Sequence, residues 1–258
     1  MEIGIAIKTE SGIFIFNDKD KVIGGALKSQ GTYESEELNR ISYLVDSDSK
    51  ILWIGTHIGA LMIPVAKKCH SIVGIEANPD TFELLNLNIK LNDVHNVTTF
   101  NVAAGENFGE IQFLKNTHNS GASKRKPIIQ NGLYYYDNPE IINIPLRKMD
   151  DFIDNYDFNT LFMDIEGSEY FALKGMPNIL DKVHTIFMEF IPFLIKDVAG
   201  VTAEQILFLL KDFETMVVPT QKRAVYKDEM LDTLNAMYEN NIMELGLIFF
   251  REKRAVNF

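Results

Sequence analysis

Short apolar runs alternate with longer amphipathic stretches along most of the chain. Each run has the length of a buried strand, and the runs stand at 51–55, 71–77, 97–105, 159–167, 184–190, 214–219 and 244–252. Several of the stretches between them place apolar residues three or four positions apart, which is the spacing of one helix face. This alternation predicts an α/β fold with a mainly parallel sheet that is covered by helices on both faces.

Two of the predicted helices carry clear start signals. Asn78 can cap the helix that follows it, and Pro79 suits the first helical position. Thr202 and Gln205 have the spacing of a capping box before another helix. Pro64 is different, because a proline shortly after a glycine turn either starts a helix or kinks it, and the sequence leaves both alternatives open.

The pattern divides the chain into an N-terminal extension and a main domain. Over residues 1–49, alternating apolar positions around a polar break predict a β-hairpin, and a helix is predicted at 34–45. Residues 50–258 are predicted to form the main domain. An irregular insert at about 106–146 interrupts its rhythm, and inserts of this length are commonly lids or binding loops.

The insert holds an aromatic triplet, Tyr134 to Tyr136, and one histidine, His118. Aromatic faces and hydroxyls suit the binding of a sugar or another polyol. Loop tyrosines also commonly pack against their own domain, so both interpretations stay open. The basic run Lys124-Arg125-Lys126 is interpreted as a solvated loop.

Composition and charge narrow the classes of function. The formal charge of −11 disfavours a nucleic-acid surface, because binding to phosphates requires clustered positive charge. The single cysteine, Cys69, allows no internal disulfide, and no histidines have metal-ligand spacing, so no metal site is predicted. No apolar run reaches the ~18 residues of a membrane-spanning helix, and the N-terminus does not read as a signal peptide. A cytoplasmic protein without a membrane partner is expected.

Candidate ligand-binding residues follow two neighbouring strands of the predicted sheet. In such a sheet, ligands bind beyond the carboxyl ends of the strands. The first strand ends in a glycine turn, Gly55 to Gly59, and the next ends at Glu76-Ala77. Glu76 follows Gly55 by 21 positions (76 minus 55), the interval at which an acid takes both ribose hydroxyls of a nucleoside.

The form of the glycine turn indicates which nucleoside fits. It reads G-x-x-x-G, and His57 stands where the middle glycine of a dinucleotide site would let a pyrophosphate come close. A nucleoside without phosphates therefore fits better than NAD, and S-adenosylmethionine is the common one. A nicotinamide oxidoreductase is disfavoured for the same reason.

Several stretches of the chain resemble the FkbM-type S-adenosylmethionine-dependent methyltransferases. The most specific is MDIEGSEYFALKGM at 163–176, which looks like the family's D-x-E-G-x-E…L-x-G signature. The others are GTYESEEL (31–38), GIEANPDTFELLNLNIKLNDVHNV (74–97), NVAAGENFGEI (101–111) and IPLRKMDDF (144–152). Together they cover roughly residues 31–190.

The resemblance implies a class I methyltransferase fold. This is a Rossmann-like, doubly wound and mainly parallel sheet of seven strands, here with the hairpin and helix as an N-terminal extension. It also implies that Gly55 and Gly59 allow close approach of the cofactor and that Glu76 holds its ribose. Residues 101–104, with Asn101 and Ala103 among them, would lie near the adenine.

The resemblance also implies an acceptor side. Asp164 and Glu166 would face the methyl group and the acceptor, and either carboxylate could be the base. Glu166 could instead cap the following helix. Glu169 is expected to be structural, and Glu189 could line the acceptor side.

The first motif departs from the family's D-x-G-A-N-x-G pattern. Gly55 and Gly59 stand, but Trp53 replaces the acid, Thr56 the alanine and His57 the asparagine. In the family the acid organises this turn and the methionine end of the cofactor. His57 could hydrogen-bond to the cofactor as asparagine would, or it could be a tolerated turn residue.

These observations predict an S-adenosylmethionine-dependent methyltransferase that methylates a hydroxyl of a sugar, a glycan or a related small metabolite. Its partners would be small molecules or glycans, without nucleic acid. The alternative is a non-catalytic binding or scaffold module that keeps the fold and has lost the cofactor through the altered first motif. What separates them is whether Thr56 and His57 leave room for the methionine carboxylate of the cofactor.

Overall fold

The computed structural model describes residues 4–154 and 157–256. The first seven strands within these ranges are β1 (Gly4–Lys8), β2 (Ile13–Asn17), β3 (Lys50–Ile54), β4 (Ser71–Ile75), β5 (Val97–Phe100), β6 (Ala103–Ala104) and β7 (Gly109–Lys115). The others are β8 (Lys124–Arg125), β9 (Glu140–Arg147), β10 (Thr160–Met163), β11 (Thr185–Phe190), β12 (Thr215–Val218), β13 (Arg223–Tyr226) and β14 (Glu244–Phe250).

The same ranges contain helices on both sides of the strands. They are α1 (Ile23–Gln30), α2 (Ser35–Leu44), α3 (Met62–Ala66), α4 (Pro79–Leu91), α5 (Met149–Phe152), α6 (Glu169–Lys174), α7 (Pro177–Leu180), α8 (Pro192–Leu194), α9 (Ala203–Leu209) and α10 (Lys227–Glu239). Helix α8 continues as a π-helix over Ile195–Ala199, and short 3-10 helices cover Ser120–Ala122, Gly132–Tyr135 and Pro219–Gln221.

The main sheet has eight strands in the described part of the chain, in the order β13-β12-β14-β11-β10-β3-β4-β5. Strands β11, β10, β3, β4 and β5 are parallel, whereas β14 is antiparallel to both of its neighbours and β13 is antiparallel to β12. The sheet is therefore mixed, and the expectation of seven strands is wrong by one. The additional strand is β13, in which only Val225 is buried, so it lacks the continuous buried apolar run that marks the other strands.

The order of the strands reverses at β3. Strands β4 and β5 lie on one side of it, and β10 and β11 lie on the other. In a doubly wound sheet this reversal opens a crevice beyond the carboxyl ends of the central strands, and ligands bind there. The residues that follow β3, β4, β10 and β11 therefore meet at one edge of the sheet.

Three strands of the insert and the preceding strand β6 form a second sheet in the described part of the chain, in the order β6-β9-β7-β8. Its centre is the antiparallel pair β7 and β9, which is in register from Gly109 opposite Leu146 to Lys115 opposite Glu140. The insert, which the sequence pattern predicts to be irregular, is therefore built around a regular antiparallel pair of strands. Strand β8 adds only two residues at the edge of this sheet, beside β7.

Two apolar layers cover the two faces of the main sheet. Strand β3 shows the alternation directly, because Leu52 and Ile54 belong to one layer while Ile51 and Trp53 belong to the other. All four side chains are at most 4% exposed. Burial on both faces explains why the strands read as continuous apolar runs instead of alternating ones.

The N-terminal elements pack on the second of these layers. Strands β1 and β2 form the predicted antiparallel hairpin, and the helix predicted at 34–45 is α2. Asn88 of α4 is fully buried and holds the hairpin, since its side chain accepts from the Ile15 N–H at 2.6 Å and donates to the Ile15 carbonyl at 3.0 Å. Phe14 and Leu27 then complete the layer.

The start signals of the helices hold in the structure. The Asn78 side chain accepts from the Asp80 N–H, and Thr202 and Gln205 form the capping box. Pro64 lies in the first turn of the short helix α3, where its missing N–H costs no intrahelical bond, so it accompanies a helix start and not a kink. Among the described residues, no helix has both the length and the apolar character needed to cross a membrane.

Candidate active site

One large cavity lies at the carboxyl ends of the central strands. Its volume is about 370 Å³, within the ~300–1,000 Å³ range of small-molecule sites. Eight of the ten predicted site residues line it, and these are Gly55, Thr56, His57, Glu76, Ala77, Ala103, Asp164 and Glu166. Glu189 also lines it. The structure therefore brings the glycine turn, the acidic strand end and the acidic signature of the sequence together.

The other two predicted residues, Gly59 and Asn101, are not among the described residues that line the cavity. Gly59 has φ +86°, and a Cβ there would lie 2.9 Å from Ile63 and 3.0 Å from Leu85, so its small size serves packing. Asn101 donates to the carbonyls of Glu76 and Ala77 at 2.8 and 3.2 Å. In the structure these two residues support the turn and the acidic strand end, and their predicted contacts with a cofactor stay predictions.

Gly55 joins two parts of the site. Its φ is +87°, and a Cβ there would lie 1.9 Å from the carbonyl oxygen of Asp164. Its N–H donates to the Ile75 carbonyl at 2.9 Å. Glycine is therefore required by the close passage of the chain after β10, and its predicted role in the approach of a cofactor remains a prediction.

Glu76 lies at the end of β4 with only 7% of its surface exposed. One carboxylate oxygen accepts from the His57 N–H at 2.8 Å, and the other accepts from the Asn78 N–H at 2.8 Å. Burial raises the pKa of Glu76 to about 7, against the opposing effect of the backbone N–H groups that it accepts from. The carboxylate is fixed in position, and each oxygen keeps capacity for a further donor.

His57 connects the glycine turn to the insert. It has φ +50°, in the left-handed region, and its Nε2 lies 2.7 Å from Ser120 Oγ. Ser120 in turn donates to Asp20, which also accepts the backbone N–H groups at the start of α1. Burial lowers the pKa of His57 to about 4, with Asp20 acting in the opposite direction, so the ring is neutral at pH 7. His57 therefore makes a specific side-chain hydrogen bond in the turn, and the partner seen in the structure is Ser120 of the insert.

Trp53, in the place of the family's acid, belongs to an aromatic row across three neighbouring strands. Its ring centroid lies 4.7 Å from that of Phe162, which lies 5.8 Å from that of Phe187. These residues are in register on β3, β10 and β11, and all three line the cavity. The wall that carries a carboxylate in the family is apolar here.

Three carboxylates meet on the opposite side of the cavity. Asp164, Glu166 and Glu189 each place an oxygen within 4.8 Å of the others. Asp164 is exposed toward the cavity, and desolvation by the surrounding residues together with repulsion from Glu166 raises its pKa well above its ordinary value. Burial and repulsion from Asp164 raise the pKa of Glu189 in the same way. Both groups therefore hold a proton more readily than ordinary carboxyls do.

The basic run at 124–126 contributes to this side, so its interpretation as a solvated loop is wrong. Lys124 is 5% exposed, and its Nζ lies 2.6 Å from Glu166 Oε2. Arg125 lines the cavity, and its guanidinium stacks on Phe171 with 4.0 Å to the ring centroid. The sequence offers no signal for this contact, because Lys124 and Glu166 are 42 positions apart.

The roles of two further acids are now distinct. Glu169 is 1% exposed, and its carboxylate accepts from the Ile165 N–H at 3.1 Å, in agreement with the structural role expected of it. Burial raises its pKa to about 7. Glu166 pairs with Lys124, and the first residue before α6 has no side-chain cap, so the helix-cap alternative for Glu166 is not supported.

The aromatic triplet and His118 lie outside the cavity lining of the described residues. Tyr134 is buried, and its hydroxyl lies 2.7 Å from Asp197, which favours the packing interpretation. The lining also contains polar residues that the sequence analysis does not propose for the site, among them Tyr33, Glu34, Ser120 and Ser168. The GTYESEEL stretch was a signal for the first two, and long-range contacts alone reveal the others.

Comparison with known proteins gives a family match and a set of similar folds. The family model of the methyltransferase FkbM domain matches residues 54–234. None of the curated proteins matches the chain. Among solved structures, methyltransferase FkbM from Methylobacillus flagellatus KT is 20% identical with a TM-score of 0.48, over 80% of this chain and 44% of that one. The chain thus matches less than half of that protein's length.

Two other solved structures are similar over nearly the whole chain. TYW2 of M. jannaschii, solved in complex with AdoMet, is 13% identical with a TM-score of 0.50, over 97% of this chain and 86% of that one. The tRNA m1G37 methyltransferase of M. jannaschii is 16% identical with a TM-score of 0.47, over 98% and 58%. The first shows that the fold is that of a methyltransferase structure. The family model covers more than half of this chain, so the chain belongs to the FkbM methyltransferase family.

Proposed function

We propose that the protein is an S-adenosylmethionine-dependent methyltransferase that methylates a hydroxyl of a neutral, polyhydroxylated small molecule, a sugar or a glycan. The observation that carries this proposal is one cavity at the switch point of the sheet with Glu76 on its β4 side and Asp164 on its β10 side. A nucleoside acid and an acceptor-side acid facing one cavity are what methyl transfer to a hydroxyl requires.

The residues present fit the cofactor. Among the described residues, Thr56 Oγ1 and Ser168 Oγ are buried without a hydrogen-bond partner, and both residues line the cavity. Buried polar atoms are rarely left unpaired in native proteins, so a polar ligand is expected beside them. Glu76 would hold the ribose hydroxyls, Thr56 the methionine end, and Ala103 would lie near the adenine. When bound, the cofactor supplies an electrophilic methyl group.

The acceptor side favours an uncharged substrate. Besides the three carboxylates, Glu34 and Glu37 line the cavity, while Arg125 is the guanidinium on its described lining. When these carboxyl groups are ionised they repel phosphates and carboxylates, whereas hydroxyl groups can hydrogen-bond to them in either protonation state. Asp164 opens onto the cavity, and its raised pKa makes its carboxylate a stronger proton acceptor than an ordinary one. We propose Asp164 as the base and Glu166, held by Lys124, as its orienting neighbour.

The rival proposal is a non-catalytic module of the same fold. Trp53 is the observation that keeps it under test, because an aromatic wall replaces the carboxylate that organises the methionine end in the family. The rival predicts a cavity that no longer binds the cofactor.

The experiment is an acceptor screen with the purified chain and S-adenosylmethionine. Neutral sugars and oligosaccharides are compared with their phosphorylated and carboxylated counterparts, and S-adenosylhomocysteine and methylated product are both quantified by mass spectrometry. We expect equimolar formation of the two products with neutral polyols and little with anionic ones. Preference for anionic acceptors would contradict the proposed acceptor class, and no binding of cofactor at millimolar concentration would support the rival.

A further inference from the structure

The ends of β10 and β11 form a set of oxygen atoms with the spacing of metal ligands. Asp164, Glu166 and Glu189 come from two neighbouring strand ends, and one oxygen of each lies within 4.8 Å of the other two. Calcium binds carboxylate oxygens at ~2.3–2.6 Å, so two oxygens on one ion are at most about 5 Å apart. The observed spacing satisfies this limit without movement of the backbone, and small rotamer changes would bring it to the shorter spacing that magnesium and manganese need.

Glu189 provides an independent indication of a ligand. It is only 6% exposed, and its Oε2 has no hydrogen-bond partner in the part of the chain that the structure describes. It lines the cavity beside the other two carboxylates. A buried carboxylate oxygen that lacks a partner is costly, and buried charges in proteins are paired or bind metals. The oxygen is therefore aimed at something that arrives through the cavity.

The charge of the cluster matches a divalent cation. A bound cation displaces the protons that Asp164 and Glu189 hold readily, and the three ionised carboxylates then carry three negative charges. The Lys124 ammonium, 2.6 Å from Glu166, neutralises one of them. Two formal negative charges remain. Glu34 and Glu169 add further negative potential at Asp164. All the ligand atoms are carboxylate oxygens, which suit hard cations such as Mg²⁺, Ca²⁺ and Mn²⁺.

We propose that Asp164, Glu166 and Glu189 bind one hard divalent cation of the class of Mg²⁺, Mn²⁺ or Ca²⁺. The sequence did not indicate this site, since its ligands come from separate strands and lack histidine. Binding of the cation does not depend on the methyltransferase activity. Its use does: under the proposed function, the cation holds hydroxyl oxygens of the acceptor at the end of the cavity where Asp164 stands.

The test is a titration of the full chain with Mn²⁺, followed by the loss of the free-ion signal in electron paramagnetic resonance, with Mg²⁺ and Ca²⁺ as competitors. We expect one site per chain. Glu189→Gln and Asp164→Asn each remove a ligand charge and should weaken binding about 10-fold or more. Lys124→Met removes the competing ammonium and should strengthen it. Glu204→Gln, which removes an exposed charge from α9, is the matched control and should leave affinity unchanged.

Three outcomes would overturn the proposal: no stoichiometric Mn²⁺, unchanged affinity in Glu189→Gln, or no gain in Lys124→Met. Circular dichroism melting verifies that each variant is folded, and the two ligand variants are independent of each other. Affinity for S-adenosylhomocysteine is measured separately after EDTA treatment. A chain that binds S-adenosylhomocysteine but does not bind Mn²⁺ would overturn the cation site and leave the proposed function standing. A chain that binds Mn²⁺ but does not bind S-adenosylhomocysteine would support the cation site and contradict the proposed function.

Discussion

The two sides of the cavity differ in how far the protein satisfies their carboxylates. On the side of β3 and β4, Glu76 accepts two backbone N–H groups and His57 is bonded to Ser120. On the side of β10 and β11, like charges face each other and Glu189 has an oxygen without a partner among the described residues. We call these the cofactor side and the acceptor side.

This difference indicates which side is already organised for its ligand. A carboxylate held by backbone donors presents the same lone pairs whether or not a ribose is bound, so the cofactor side is preorganised. The acceptor side has a surplus of negative charge that only a cation, a proton or hydroxyl donors can relieve. Changes on the two sides should therefore have separable effects, on cofactor affinity and on acceptor or cation affinity respectively.

The largest expected effect comes from Gly55→Ala, because Gly55 connects the two sides. The new Cβ would lie 1.9 Å from the Asp164 carbonyl oxygen at a φ of +87°, so both strand ends must move. We expect a loss of about 4 kcal/mol or more in the free energy of unfolding, measured by urea denaturation.

Gly25→Ala is the matched control for this change. Gly25 lies within α1, and a Cβ there has no neighbour within 4 Å among the described residues. Alanine in a helix should stabilise the protein by up to about 1 kcal/mol. An equal loss in both variants would show that the close passage of the two strand ends does not hold in solution.

The next effect is on the pH dependence of stability. Burial raises the pKa of Glu76 from 4.5 to about 7, and that of Glu169 also rises to about 7. Each of these carboxyls adds on the order of 3 kcal/mol to the free energy of unfolding below pH 4.5. This stabilisation is lost as the pH rises through 7. His57, with its pKa lowered to about 4, acts in the opposite direction between pH 4 and 6.5.

The two carboxyls outweigh the one histidine, so the free energy of unfolding should fall as the pH rises from 5 to 8. Urea denaturation at four pH values measures the slope. Glu76→Gln should flatten it, while Glu204→Gln at the surface should not. Stability that rises across this range would mean that Glu76 is ionised at lower pH than its burial implies.

The smallest effect is expected for Ser120→Ala, which disconnects the cofactor side from the N-terminal elements. The variant loses the hydroxyl between His57 and Asp20. We expect a loss of about 1–2 kcal/mol in the free energy of unfolding, because a buried ring nitrogen is left without its partner. Ser29→Ala, which removes an exposed hydroxyl bonded to the Gly25 carbonyl, should change stability by less than ~0.5 kcal/mol. Similar losses in both would argue that the link through Ser120 has no special weight.

Much of the site could be predicted from the sequence because a parallel sheet gathers its strand ends at one edge. Glu76, Asp164 and Glu166 follow apolar runs directly, so their meeting follows from the fold class. The roles that depend on contacts between distant segments could not be predicted. Lys124 reaches Glu166 from the insert, and its basic run resembles a surface loop when only local pattern is considered.

The fold shows the same limit. The central parallel strands are buried on both faces and have clear apolar runs, whereas β13 has four residues and β8 has two. Such short edge strands are stabilised by the partner that they pair with, and their own sequence carries little of that information. Gly59 illustrates the same point at one residue, because its lack of a side chain is required by the packing of Ile63 and Leu85, which the turn motif alone does not reveal.

The most direct measurement is calorimetric titration of the chain with S-adenosylhomocysteine, with Glu76→Ala on the cofactor side and Asp164→Asn on the acceptor side. We predict binding near micromolar for the unaltered chain. Glu76→Ala removes the carboxylate that is proposed to accept from both ribose hydroxyls, so it should weaken the binding of S-adenosylhomocysteine about 100-fold or more. Asp164→Asn should change this affinity by no more than about 3-fold. No binding by the unaltered chain at millimolar ligand, or equal losses in both variants, would contradict the division of the cavity into two sides.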